Sequence, residues 1–183
     1  MKRLEKYIEI LEKWNKIHSL SGAKNRKSIE ENIKDSLKPL EFQELEWEKQ
    51  RLILDVGSGN GFPAIPLAIM LNVPFILCEP NAKKAAFLHT LKVELGLENV
   101  EVMRSRVQDL ELKIKPSLIT SRALLGTLDL LLLCENIKEP STSFLLFKGS
   151  KVKEELEGLI KYKIYNYSYR NYLFLQGESL CNG

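Results

Sequence analysis

The stretch Leu52-Ile53-Leu54-Asp55-Val56-Gly57-Ser58-Gly59-Asn60-Gly61-Phe62-Pro63 runs from an apolar strand straight into a glycine-rich turn and on into a helix. Glycines in such a turn let the chain bend sharply and leave no Cβ between the backbone and a ligand. Plain strand-to-helix connections use similar turns, so the surroundings decide the reading. Working outward, residues 75–78, 100–103, 117–120 and 144–147 are short apolar runs that read as further strands. Helical segments separate them at about 65–71, 83–95, 127–137 and 151–161, with Gly96 where a C-terminal cap belongs. The Tyr- and Phe-rich segment 162–176 reads as two final strands joined near Arg170 and Asn171. Strands alternating with helices predict an α/β fold around a mainly parallel, seven-stranded sheet.

Ahead of the sheet, Leu4, Ile8, Leu11 and Trp14 recur at helical spacing, which predicts an amphipathic helix over 4–17. A second helix is signalled by Ser28 with Glu31 three residues later, a capping-box pattern, and it turns Ile29, Ile33, Leu37 and Leu40 inward until Pro39 and the acidic stretch beyond disrupt it. Residues 1–50 therefore read as a helical extension of one compact unit, 51–183.

With 183 residues and 44% hydrophobic content, one domain with an appendage is expected, and two full domains are excluded. The 27 basic against 24 acidic residues leave a net charge of +3, which permits an anionic partner without demanding one. The three cysteines, Cys78, Cys134 and Cys181, lack metal-ligand spacing, so no metal is expected. No signal peptide is evident, and the most apolar stretch, 124–134, contains Asp129 and falls short of the ~20 residues of a membrane span. A cytoplasmic protein without a membrane partner is expected.

Glu79 closes the second strand 22 residues after Gly57, where a carboxylate accepts hydrogen bonds from the two hydroxyls of an adenosine ribose. A nicotinamide cofactor and S-adenosylmethionine share that ribose, so Glu79 alone does not choose between them. The dinucleotide fingerprint Gly-x-Gly-x-x-Gly would need its third glycine at 62, where this chain has Phe62, followed by Pro63 with no N–H. A pyrophosphate loses donors there. S-adenosylmethionine carries no phosphate but an ammonium, a carboxylate and a sulfonium, and Asp55 suits its positive groups. Asp55, Gly57, Gly59 and Glu79 are accordingly candidate cofactor residues of a Rossmann-like S-adenosylmethionine-dependent methyltransferase.

The chain resembles the bacterial methyltransferases that modify N7 of a guanine in 16S ribosomal RNA, the glucose-inhibited division protein B family. The likeness runs over nearly its whole length: Trp14-Asn15-Lys16, Leu20-Ser21 and Asp35-Ser36-Leu37 in the helical extension, Asp55 through Leu67 at the turn, Glu79 with Lys83-Lys84-Ala85-Ala86-Phe87-Leu88, and Leu95 through Val100. Ser105-Arg106-Val107, Thr120-Ser121-Arg122-Ala123 and Phe147-Lys148-Gly149 extend it. Phe-Pro after the glycines and Ser-Arg-Ala after the fourth strand are its most specific parts. The resemblance implies that Gly57 and Phe62 contact the cofactor, that Val107 and Gln108 border its adenine, and that Arg122 faces both the cofactor and the substrate guanine. It implies residues 51–183 as the methyltransferase domain. Three positions depart from the family pattern: Ala64 replaces a usual glycine, Gln108 a usual glutamate, and Asn32 a common histidine.

Guanine N7 presents an unprotonated lone pair, so its methylation needs no general base, and orientation alone can supply ~7–11 kcal/mol of the barrier. Exocyclic-amine methylation usually employs Asn or Asp, two prolines and an aromatic after the fourth strand, and Thr120-Ser121-Arg122-Ala123 stands there instead. Pyrimidine C5 methylation needs a nucleophilic cysteine, whereas Cys78 and Cys134 read as buried hydrophobes and Cys181 lies near the end. His18 and His89 have no partner motif. Arg122 is the candidate catalytic residue, donating to guanine O6 or a phosphate, with a structural ion pair as the alternative.

Lys13, Lys16, Lys24, Arg26 and Lys27 lie between residues 13 and 29 without an acidic residue, and Lys83, Arg104, Arg106, Lys148 and Lys151 fall near loops of the sheet. Such groups bind RNA phosphates or form an ordinary solvated surface. The expected partner is 16S ribosomal RNA in the small subunit or a precursor. A methyltransferase for a protein or small molecule, and a non-catalytic RNA-binding module, are the alternatives.

Overall fold

The strands are β1 (Ile53–Val56), β2 (Phe75–Cys78), β3 (Val100–Met103), β4 (Leu118–Arg122), β5 (Ser143–Lys148), β6 (Tyr162–Tyr167) and β7 (Arg170–Leu175) in the computed structural model, which describes residues 2–18, 25–168 and 170–177. Leu20, Ser21, Lys24, Cys181 and the His18 side chain lie outside the described residues. Among the described residues the seven strands form one sheet in the order β3-β2-β1-β4-β5-β7-β6. All neighbouring pairs are parallel except those of β7, which runs antiparallel to β5 and β6. The order reverses between β1 and β4, and at such a switch point the loops leaving the strands part to form a crevice.

The two faces of the sheet carry separate cores, as the twofold alternation of strand side chains requires. Ile53, Phe75, Leu77, Leu118, Leu145 and Phe147 face one core. Leu54, Val56, Ile76, Ile119, Phe144 and Leu146 face the other. Every residue of β1 and β2 is buried, which explains why both read as unbroken apolar runs apart from Asp55.

The helices are α1 (Lys2–His18), α2 (Arg26–Leu37), α3 (Ala64–Met70), α4 (Ala82–Leu95) and α5 (Thr127–Leu133). Tyr7, Ile8 and Leu11 of α1 and Ile29 and Ile33 of α2 share one core with Phe62, Leu67 and Phe87. Each of these large side chains contributes about 1.5–3 kcal/mol by leaving water. Trp14 of α1 packs at 5.2 Å on Phe87, and Phe42 stacks at 3.9 Å on Tyr165 of β6, so the extension also covers the C-terminal hairpin. None of the described helices is long and apolar enough to cross a membrane.

Several sequence expectations shift. The N-cap of α2 is Asn25, whose side chain accepts from Ser28 N–H at 2.9 Å while the Ser28 hydroxyl reaches back, so Ser28 is the third residue of the box and not its cap. Either Asn or Ser can cap, and the box pattern with Glu31 placed the start three residues late. After α2 the chain continues as a short 3-10 turn, Lys38–Glu41, with Pro39 at its start. The helix expected at 151–161 is also replaced by a 3-10 segment, Ser150–Glu155, followed by a bend at Gly158 with φ +76°. Burial of Val152 and Leu159 and the contacts of Glu155 hold this stretch against its helical propensity. The final hairpin turns at Ser168, ahead of the expected Arg170 and Asn171, both of which belong to β7.

Candidate active site

The glycine turn leaves β1 with Gly57 N–H and Ser58 N–H both donating to the Cys78 carbonyl, at 2.9 and 3.2 Å, which fixes it to the end of β2. Gly57 (φ +73°) and Gly61 (φ +96°) occupy the left-handed region that disfavours a side chain. Space is limiting as well: a Cβ on Gly57 would stand 3.0 Å from both Leu124 methyls, and one on Gly61 2.6 Å from Ile65 Cγ1 and 3.2 Å from the Tyr7 hydroxyl.

Glu79 is 5% exposed, and its two oxygens accept from Gly59 N–H at 2.8 Å and Asn81 N–H at 2.9 Å. The turn thereby holds the carboxylate in place, and lone pairs remain for two further donors. Asn81 then caps α4 by accepting from Lys83 and Lys84 N–H.

Asp55 lies opposite Thr120 in the β1–β4 register and accepts its hydroxyl at 2.6 Å. It is fully buried, and its Oδ2 has no hydrogen-bond partner among the described residues. Burial pushes its carboxyl up to about 7, against the lowering effect of the Thr120 and Ser58 contacts, with Glu79 raising it further. A buried carboxylate oxygen without a donor fits a cationic ligand group, the ammonium of S-adenosylmethionine being of that kind.

Beside the turn opens a cleft of about 150 Å³, lined by Val56, Gly57, Pro80, Val107, Gln108 and Leu124 among others. The structure therefore brings Gly57, Val107 and Gln108 to one cavity, with Asp55, Gly59 and Glu79 grouped at the turn and strand ends. Phe62 is not among the lining residues. Its ring is buried 5.4 Å from Tyr7 and 5.6 Å from the Arg122 guanidinium.

Arg122 ends β4 and reaches α2: one guanidinium nitrogen donates to Asn32 Oδ1 and another lies 3.4 Å from Asp35 Oδ2. Asp35 also pairs with Arg170 at 3.0 Å and accepts the Tyr172 hydroxyl at 2.8 Å. The ion pair weighed from the sequence as the alternative role of Arg122 is thus present, and it holds the side chain beside the turn. The other hydroxyls at this strand end are committed, Thr120 to Asp55 and Ser121 to the Val56 carbonyl. Cys78 and Cys134 are buried, which pushes each thiol up to about 12 and leaves no thiolate for attack.

Residues 1–175 match the family model described as rRNA small subunit methyltransferase G. The chain belongs to the rRNA small subunit methyltransferase G family. A ribosomal RNA small subunit methyltransferase G of Campylobacter jejuni is 45% identical over 170 residues, 93% of this chain and 88% of the relative. Its Helicobacter pylori counterpart is 40% identical over 179 residues, 97% of this chain and 98% of the relative. Solved structures share the fold at low identity. A mutant of MtNAS in complex with S-adenosylmethionine superposes with a TM-score of 0.64 at 12% identity, covering 97% of this chain and 73% of that one. An RNA methyltransferase from Salinibacter ruber in complex with S-adenosyl-L-homocysteine gives 0.61 at 14% identity, covering 82% and 94%.

Several residues around the site carry no signal of their role in the sequence. Tyr7 lies on the same helical face as Leu4 and Leu11, where spacing marks burial and nothing more. Its hydroxyl donates to the Asn60 carbonyl at 2.7 Å inside the glycine turn. Asn32, which departs from the family pattern, is a partner of Arg122. Two of the basic residues expected either to bind RNA phosphates or to be solvated are engaged with carboxylates. Lys148 is buried against Glu155 at 2.7 Å, and Arg26 pairs with Glu5, Glu12 and Glu30. Lys13, Lys16, Lys27, Lys83, Arg104, Arg106 and Lys151 are exposed.

Proposed function

We propose that this methyltransferase transfers a methyl group to N7 of a guanine in 16S ribosomal RNA, within the small subunit or a precursor of it. S-adenosylmethionine, when bound, supplies an electrophilic methyl group on a sulfonium. Asp55 and Glu79 would hold its cationic and ribose groups, Gly57 gives the backbone access that a side chain would block, and Val107 with Gln108 would border the adenine.

The observation that carries the reading is the chemistry at the end of β4. Thr120 and Ser121 have donated their hydroxyls to β1, and Arg122 is a permanent cation. A strand end with these groups suits a nucleophile that arrives unprotonated, and N7 of guanine is one. On this reading Arg122, paired with Asp35, donates to guanine O6 or to a phosphate beside it, and its contact with Phe62 links it to the cofactor turn. Catalysis then consists of orientation and exclusion of water. Exposed Arg104, Arg106 and Lys83, on the segments that follow β3 and β2, supply phosphate contacts on this reading, and RNA affinity falls steeply with salt.

Mapping modified nucleotides in 16S RNA from cells with and without this protein tests the proposal. N7-methylguanosine at one position should disappear with the protein; an unchanged modification pattern overturns the assignment.

A further inference from the structure

The loop between β4 and α5 roofs the cleft, since Leu124 and Leu125 both line it and the Leu124 methyls stand over Gly57. That loop starts from Ala123 at φ +53°, a left-handed conformation that a non-glycine residue keeps only where its surroundings enforce it. On the other side of the loop lie two charged groups. Lys148, the last residue of β5, is 8% exposed, and its ammonium donates to the Leu125 carbonyl at 2.9 Å while pairing with Glu155 at 2.7 Å. The same Glu155 oxygen accepts from Thr127 N–H at 2.8 Å and from the Thr127 hydroxyl at 2.7 Å. Thr127 opens α5, where a backbone N–H has no partner within the helix. Burial alone would push Glu155 up, but the hydrogen bonds from Lys148 and Thr127 outweigh it and hold the carboxyl below its usual range.

We infer that Lys148 and Glu155 are positioning residues that latch the 123–127 loop so that Leu124 lies over Gly57 and closes the cofactor cleft. The inference rests on reading this cleft as the S-adenosylmethionine site. Neither residue lines the cleft, so both act through the loop, Lys148 from the Leu125 carbonyl and Glu155 from the start of α5. The latch also accounts for a buried lysine beside the active centre.

The test is a double-mutant cycle in the full-length protein, read as S-adenosylhomocysteine affinity by calorimetry well below the unfolding temperature. Lys148→Met and Leu124→Ala should each weaken binding about tenfold, the scale of one lost charge-assisted hydrogen bond or one lost apolar contact surface. The double variant should bind no worse than Lys148→Met alone, because the lysine acts through Leu124. Lys148→Arg should restore most of the affinity, and Glu155→Gln should reproduce the loss should Lys148→Met fail to fold. A purely structural ion pair would shift the unfolding temperature and leave this coupling at zero. Independent losses that multiply in the double variant overturn the latch. So does unchanged affinity in both Lys148→Met and Glu155→Gln while Leu124→Ala still binds poorly. If Leu124→Ala itself leaves affinity unchanged, the reading of the cleft fails and the latch fails with it.

Discussion

The Tyr7 hydroxyl in α1 donates to the Asn60 carbonyl at 2.7 Å, joining the first helix to the middle of the glycine turn. Tyr7 is fully buried, and burial pushes its hydroxyl well above the ordinary tyrosine range, so it remains a donor at any working pH. Tyr7→Phe leaves the ring in place and the carbonyl short of a donor, which should lower unfolding free energy by about 1 kcal/mol. Cofactor affinity should fall with it, because the turn loses its support from below. Denaturant unfolding and calorimetry with S-adenosylhomocysteine check both.

Gly57 and Gly61 should respond differently to alanine although both have positive φ. At Gly61 the added Cβ meets the Cγ1 of Ile65, close to its backbone, at 2.6 Å, so Gly61→Ala should destabilise the fold by roughly 2–4 kcal/mol from overpacking and backbone strain together. At Gly57 the Cβ meets only the flexible end of Leu124 at 3.0 Å. Gly57→Ala should therefore lose less stability and more cofactor affinity, a ranking that paired unfolding and binding curves would reveal.

Asp55 gives the native state a pH signature. Its carboxyl ionises near 3.8 in an unfolded chain and at about 7 in the fold, so between those values the native state holds a proton that the unfolded state has lost. Its contribution is complete below about pH 4 and is lost as pH rises to about 7, on the order of 4 kcal/mol. Asp55→Asn mimics the protonated form and should unfold with less loss across that window. In the wild type, affinity for S-adenosylhomocysteine should rise through pH 7 as the carboxylate forms to meet the ligand ammonium, and this rise should be absent in Asp55→Asn.

Arg122→Lys retains the charge and loses the fork that spans Asn32 and Asp35. Turnover should fall about a hundredfold, the scale of a misplaced reacting group, with a smaller change in cofactor affinity. Asp35→Asn removes the carboxylate between Arg122 and Arg170 and should destabilise the protein by about 3–5 kcal/mol, because two poorly solvated guanidinium groups lose their counter-charge. Steady-state kinetics and thermal unfolding separate the two variants.

The centre of the sheet and its turn were legible because β1 and β2 are buried along their whole length and so read as near-continuous apolar runs, and because Gly57, Gly59 and Gly61 stand where a strand ends. Glu79 was legible for the same reason, as the one acid at the end of β2. Contacts that join distant segments were not. Tyr7 reaches Asn60 across 53 residues and Asp35 reaches Tyr172 across 137, and no local period records which polar end a buried side chain presents to which partner. Lys148 misled for a related reason: a lysine beside a loop reads as solvated unless the carboxylate that buries it, here Glu155, is known to fold back onto it. The start of α2 at Asn25 was missed because two candidate caps lie three residues apart.

N7 methylation of 16S RNA is tested with the purified protein, methyl-labelled S-adenosylmethionine and small ribosomal subunits from cells that lack it, followed by digestion of the RNA to nucleosides. Label should appear in 7-methylguanosine from 16S RNA, with the wild type active and Arg122→Lys strongly impaired. Label in a different nucleoside, in ribosomal protein, or in no ribosomal component would contradict that assignment.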